Sequence, residues 1–326
     1  MKLSKILVLP GDGVGPTCIA SAKKILGLFD SIEILEGQIG HSAYESTGNY
    51  LPHETMDLID ETNIILTGPV KTPNNVKNPL DTLKIQLDIF ARGRFYKTLA
   101  PELCIRNIDV TLWSSYNDIA REIVEVKDFE GVTLTKYIRN DAYGRMMSVA
   151  KKDVELRGLR NIACLTRTDF FPISSGMFRD AFESTFSDEK YNIRALNVRE
   201  WMYNVLKDPN HDDCIICVDL YNQIVAGVIA GLAADRNLFP TVYSGVDYSI
   251  YEPNFLTEIE GLDPVEPNPT AAIIATSIIL KNLGLSRPAD DLMKALEDSY
   301  AAGDRTSDVG GSLSAEEFTD KVISRL

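Results

Sequence analysis

Residues 6–29 read ILVLPGDGVGPTCIASAKKILGLF, and the fold is read outward from this stretch. Ile6, Leu7, Val8 and Leu9 make an apolar run rich in β-branched residues, which predicts a buried strand. Pro10, Gly11, Gly13 and Gly15 then break it in a loop where backbone can approach closely. Pro16 suits a first helical turn, and Ile19, Ala20, Ala22, Ile25 and Leu26 recur at helical spacing, so the unit is strand, glycine turn, helix. Amides freed at such a turn can cradle an anion, yet a tight strand-to-helix crossing needs glycines with no ligand at all. The order is G-D-G-V-G-P; the G-x-G-x-x-G of a dinucleotide fold occurs nowhere in the chain.

With 326 residues the chain exceeds a usual single core, so one elaborate or two closely joined domains are expected. A net charge of −14 argues against nucleic acid or an anionic membrane surface as partner. Five cysteines, an odd number in a long chain, point to a reducing compartment rather than a disulfide framework. Cys214 and Cys217 have C-x-x-C spacing, but inside the apolar run CIICV they read as buried strand rather than as a redox or zinc pair. Strand-forming residues begin at Lys5, leaving no room for a leader, so the expected location is cytoplasmic, or the mitochondrial matrix if a leader has been removed. No apolar run approaches the ~18 residues of a membrane span.

Further along, strands and helices alternate in an α/β pattern. Residues 82–91 read as a helix, followed by a cluster of Arg92, Arg94 and Lys97 that fits a solvated face better than an anion site. Residues 122–138 alternate as a hairpin around Gly131; 213–220 read as strand and 224–232 as a close-packed helix. Ser314 and Glu317 open the last helix as a capping box. His41, His53 and His211 are scattered, and neither a P-loop nor a Ser/His/Asp arrangement is present. From the residues alone, no catalytic constellation rises out of the chain.

A resemblance adds more. KILVLPGDGVGP (5–16), GPVKTP (68–73), LDIFARGR (87–94), SSGMF (174–178), NPTAAI (268–273) and DVGGSLSAEEFTDKV (308–322) resemble the β-decarboxylating dehydrogenases, the isocitrate and 3-isopropylmalate dehydrogenase family. The closing stretch is most similar to subunits of NAD-dependent isocitrate dehydrogenase. The resemblance implies a two-domain α/β fold without a classical Rossmann unit. Residues 1–97 and 247–326 would form the large domain and 98–246 the small one, with an intersubunit clasp at about 122–138. A homologous dehydrogenase subunit would complete the site.

An active member of that family holds isocitrate with three arginines and Mg²⁺ or Mn²⁺ with three aspartates, and moves protons through a tyrosine and a lysine. Here the first arginine falls on Lys84 and the second on Arg94. In place of the third, the chain reads SSYNDI from Ser114. The tyrosine falls near Arg121 and the lysine on Arg167, with Asp169 for the following asparagine; arginine cannot shuttle protons near neutral pH. The metal positions fall on Arg199 and on Asn222, Gln223, Ala226 and Gly227, so no Mg²⁺ or Mn²⁺ is expected. On the nucleotide side Thr72 and Asn268 are kept, and Glu260 lies where an acid would favour a ribose hydroxyl, leaving NAD or an adenine nucleotide open as ligand.

The expectation is therefore a non-catalytic, regulatory or structural subunit in a homo- or hetero-oligomer. Lys84, Arg92, Arg94, Arg121, Arg167 and Arg199 would bind a small anionic effector such as citrate if they share one pocket. The alternatives are a divergent but active NAD-dependent decarboxylating dehydrogenase, and a scaffold subunit without ligand.

Overall fold

The computed structural model describes residues 3–116, 123–233, 236–254 and 267–326. Arg121 and Glu260 lie outside the described residues. In the N-terminal part, β1 (Ser4–Leu9) leads into α1 (Gly15–Leu26), with Pro16 in its first turn as the sequence suggests. Then come β2 (Ile32–Glu36), α2 (His41–Thr47), α3 (His53–Ile59), β3 (Ile64–Thr67), α4 (Pro79–Gln86), β4 (Ala91–Lys97) and β5 (Asp109–Ser115). A separate ribbon of β6 (Ile123–Lys127) and β7 (Val132–Lys136) follows, as expected around Gly131.

The middle of the chain holds α5 (Ala142–Arg157), β8 (Asn161–Thr166), α6 (Pro172–Thr185), β9 (Asn192–Asn197), α7 (Val198–Val205), β10 (Cys214–Cys217) and α8 (Asp219–Leu232). The last part contributes β11 (Thr241–Ser244), β12 (Ser249–Glu252), α9 (Thr270–Asn282), α10 (Ser286–Ala301) and α11 (Ala315–Ile323). Ten strands form one mixed sheet, in the order β2-β1-β3-β12-β11-β4-β5-β10-β8-β9. Cys214 and Cys217 are fully buried in β10, where burial pushes the Cys217 thiol up to about 12. They are strand residues, as CIICV implies. The capping box is formed, Ser314 Oγ accepting from the Glu317 N–H at 3.3 Å.

Asp12 settles what the glycine turn does. Its carboxylate accepts the backbone N–H groups of His41 and Ser42 (both 2.9 Å) and of Lys71 (2.7 Å), tying together the loops that follow β1, β2 and β3. Burial alone would push this carboxyl up; the amide donors outweigh it and hold it below its ordinary value. The anion that collects amides around this turn is therefore the protein's own. At Gly11, with φ +71°, a Cβ would stand 2.3 Å from the Pro69 carbonyl oxygen, so no side chain fits.

Two boundaries differ from the sequence reading. The helix expected over 82–91 begins earlier, at Pro79, where the Asn78 side chain accepts from the Leu80 N–H, and it ends at Gln86. Ala91 instead opens β4, which pairs antiparallel with both β11 and β5. Similarly, the strand expected over 213–220 stops at Cys217, and α8 starts at Asp219, whose N–H donates to Ser115 Oγ. These shifts matter because side chains alternate across a strand. Phe95 on β4 meets Arg157 of α5 on one face, while Arg94 meets Asn222 of α8 on the other. Arg92 is thus directed to the α8 face and is 5% exposed, not part of a solvated patch.

Candidate functional site

The carboxyl ends of β5, β10 and β8 and the N-terminus of α8 come together at one edge of the sheet, the place where open α/β sheets bind ligands. Lys84, on α4, is 3% exposed and places Nζ 2.7 Å from Glu252 of β12 and 3.7 Å from the centre of the Tyr243 ring. Burial would lower its pKa, but the adjacent Glu252 charge prevails and raises it. Arg92 pairs with Asp219 at the start of α8, where an acid is also favoured by the helix dipole. Arg94 donates from Nη1 to Asn222 Oδ1 (2.6 Å) and from Nε to Thr241 Oγ1 (3.2 Å). No carboxylate among the described residues lies within ion-pair distance of its guanidinium.

Arg94 borders a chamber of about 310 Å³. Gln223, Ala226 and Gly227 of α8 form one wall, and Glu252, Pro253 and Asn254 another. A second cleft, about 840 Å³, opens near Lys97 at the far end of β4, against α9 and α10. It touches none of the other basic residues singled out from the sequence, and Lys97 there pairs with Glu297 at 2.6 Å.

Three of the six basic residues are therefore neighbours: Lys84, Arg92 and Arg94. Arg167 follows β8, bonds to Asp169 (3.0 Å) and lies over the Phe170 ring. Register pairing runs from Arg92 to Ser114, Cys217 and Leu165, so β8 stands three strands from β4, roughly 14 Å away. Arg199 projects from α7 into solvent, and its backbone N–H is bound by the Asn197 side chain.

Among the nucleotide candidates, Thr72 is half-buried on the loop after β3. Asn268 is already engaged: its amide donates to Asp308 (2.9 Å), its Oδ1 accepts from the Thr270 N–H (2.9 Å), and its carbonyl accepts the Cys18 thiol (3.5 Å). Reading the sequence missed Tyr116, Tyr243, Asp219 and Glu252 as parts of this region. Their partners lie far away in the chain, and no local pattern marks them.

A family model described as isocitrate/isopropylmalate dehydrogenase matches residues 5–322. This chain belongs to the isocitrate/isopropylmalate dehydrogenase family. The 3-isopropylmalate dehydrogenase of Methanothermobacter thermautotrophicus is 26% identical, over 100% of this chain and 99% of that protein. Subunit 1 of the mitochondrial NAD isocitrate dehydrogenase of Kluyveromyces lactis is also 26% identical, over 98% of this chain and 91% of its own. In fold, the chain resembles the isocitrate dehydrogenase of Methylococcus capsulatus, with a TM-score of 0.84 at 18% identity and 99% of each chain covered. The α/β architecture and its large mixed sheet are those of this family.

Among the described residues, those lining the chamber do not fit the divalent ion that the resemblance implies for an active member. The carboxylate among its described lining residues is Glu252, already bonded to Lys84, and Gln223, Ala226 and Gly227 offer no anionic oxygen. Among the described residues, no group of three His, Cys, Asp or Glu side chains is placed to hold a metal. Nor is any helix among them long and apolar enough to cross a membrane.

Proposed function

We propose that this chain is a non-catalytic member of its family, acting as a regulatory or structural subunit beside a homologous dehydrogenase subunit. The observation that carries this reading is the closure of the cationic site. Lys84 and Arg92 are buried and neutralised by Glu252 and Asp219, which leaves Arg94, of these three, bordering the open chamber. The resemblance puts Arg167 at the family's proton-transferring lysine, and an arginine there is a poor proton shuttle, which supports the same reading.

The division into a large domain (1–97 with 247–326) and a small one (98–246) is part of the same proposal. So is a clasp made by the ribbon of β6 and β7. Val124, Val126, Val132 and Leu134 are all exposed on that ribbon, and a two-stranded ribbon is marginal in water on its own. In such a pair Arg167 and Arg199, which stand apart from Arg94 within one chain, are available to the neighbouring subunit's site.

A second reading, an active and divergent dehydrogenase, is favoured by one finding: the relatives matched along nearly their whole length are named as dehydrogenases. The test is NADH formation by the purified chain with Mg²⁺ or Mn²⁺ and isocitrate, homoisocitrate or 3-isopropylmalate. No turnover is the expected result, with turnover appearing only when a homologous subunit is added. Turnover by the chain alone would establish the second reading.

A further inference from the structure

The larger cleft, about 840 Å³, is lined by Phe95 and Arg157, on the face of β4 opposite to Arg94. Its size falls within the roughly 300–1,000 Å³ of small-molecule sites. Its apolar lining comes from Phe95 and Val110 of the sheet, Leu159 beyond α5, Ile274 and Ile278 of α9, and Met293 of α10. Charged groups share the lining, and most of them are already committed. Lys97 is bonded to Glu297 (2.6 Å) and Lys281 to Asp290 (2.8 Å), while Lys294 pairs with Asp298 on its own helix. The Asp213 carboxylate accepts the backbone N–H groups of Arg160 (2.9 Å) and Asn161 (2.8 Å).

Two lining charges are left underused, one of each sign. Asp109, at the start of β5, has a side chain 74% exposed and meets Lys97 only at 4.0 Å, the outer limit of an ion pair. Arg157, at the end of α5, lies over the Phe95 ring at 4.2 Å and bonds to Asp153 through Nε, while its Nη2 has no partner. A guanidinium edge left unused in this way can take an acceptor. The two are neighbours without being a pair. Crowding at the cleft raises the Asp109 carboxyl, with Lys97 and Arg157 opposing the rise and Glu297 and Asp213 adding to it, so all four charges lie close by. Asn210 holds the Asp109 backbone in place, its Oδ1 accepting the Asp109 N–H (3.0 Å) and its Nδ2 donating to the Asn107 carbonyl (2.9 Å).

We propose that this cleft binds an α-amino acid with a large apolar side chain, Asp109 taking its ammonium group, Arg157 its carboxylate, and the wall of Ile274, Ile278 and Met293 its side chain. Lining cations and acids are equal in number, so a ligand with a net charge would go uncompensated. A zwitterion serves both underused groups through charge-assisted hydrogen bonds and leaves the balance intact. The inference is independent of the non-catalytic reading, since none of these residues lines the Arg94 chamber.

The experiment is titration calorimetry of the full chain with L-phenylalanine and L-leucine. Two analogues are run beside them: 3-phenylpropanoate, which lacks the ammonium group, and 2-phenylethylamine, which lacks the carboxylate. L-phenylalanine is expected to bind at least about tenfold more tightly than either analogue, a difference of about 1.4 kcal/mol. Asp109→Asn should bring L-phenylalanine down to the level of 3-phenylpropanoate and leave that analogue unchanged, a selective loss that a folding defect would not produce. Met293→Trp should fill the cleft and weaken both amino acids. Arg94→Gln should alter none of this, because the chamber lies on the other face of β4.

Failure of both amino acids to bind, either analogue binding as tightly as L-phenylalanine, or L-phenylalanine binding that survives Asp109→Asn unchanged or is lost in Arg94→Gln would each overturn the inference. NADH formation by the chain alone would overturn the non-catalytic reading and leave this ranking untouched, so the two failures are distinguishable.

Discussion

Asp12 shows how much one side chain can organise. Three backbone amides from two separate loops converge on its carboxylate, so replacing it removes the acceptor they share. Asp12→Asn keeps the shape but turns an NH₂ group toward those donors. It is expected to lower stability by about 2–3 kcal/mol, the usual scale for hydrogen bonds to a charged group. The pH dependence follows from the lowered carboxyl. Above the ordinary value of 3.8 the contribution is fully present, and it fades as pH falls through the lower folded value. Urea unfolding between pH 3 and 7 should show the acid limb of the stability curve flattened in the variant. Equal acid limbs in both proteins would refute this role. The sequence names Asp12 only as a letter between glycines, since the amides it binds arrive from residues 41, 42 and 71.

At the scale of elements, what was legible was what is local. The strand at Ile6, the helix after Pro16, the CIIC strand, the hairpin around Gly131 and the capping box all depend on neighbours a few residues apart, and all are present. The four-residue strands β11 and β12 escaped notice because TVYS and SIYE are too short to show a period. With them went the surroundings of Lys84 and Arg94, because Tyr243, Thr241 and Glu252 all lie on that pair. The basic cluster was misplaced for a related reason. Strand alternation turns Arg92 inward, where Asp219, 127 residues away in sequence, neutralises it.

The ribbon of β6 and β7 carries its own prediction. Val124 and Val126 share one face with Thr133 and Thr135, and Leu134 lies on the other, so both faces present apolar groups to solvent. A clasp would bury them against another subunit. Val126→Asp combined with Leu134→Asp should therefore shift the protein toward monomer in sedimentation velocity while its far-ultraviolet circular dichroism is retained. An unchanged sedimentation coefficient would rule out the ribbon as the contact between subunits.

For the molecule as a whole, the pair of Lys84 and Glu252 joins helix α4 to strand β12 across 168 residues of chain, inside a protein whose net charge is −14. Its two partners are unequally placed, Lys84 sealed under the tyrosines and Glu252 reaching the chamber wall. Removing the acid leaves a buried ammonium ion without a counter-charge, and breaking a buried pair in this way costs about 3 kcal/mol or more. Glu252→Gln should therefore be markedly destabilised at neutral pH.

The sign of the pH dependence separates this from a simple packing defect. In the native chain the lysine's folded pKa is raised above 10.5, so its contribution is complete below that value and declines as pH rises through the folded pKa. In Glu252→Gln, burial acts without the opposing charge and pulls the folded pKa below the unfolded one. The unfolded chain then binds the proton more readily, and stability climbs with pH until both states are neutral. Thermal unfolding from pH 7 to 10.5 should thus narrow the gap between variant and native protein from the alkaline side. A gap that stays constant over that range would mean that the ammonium group is not what the missing carboxylate leaves exposed to burial.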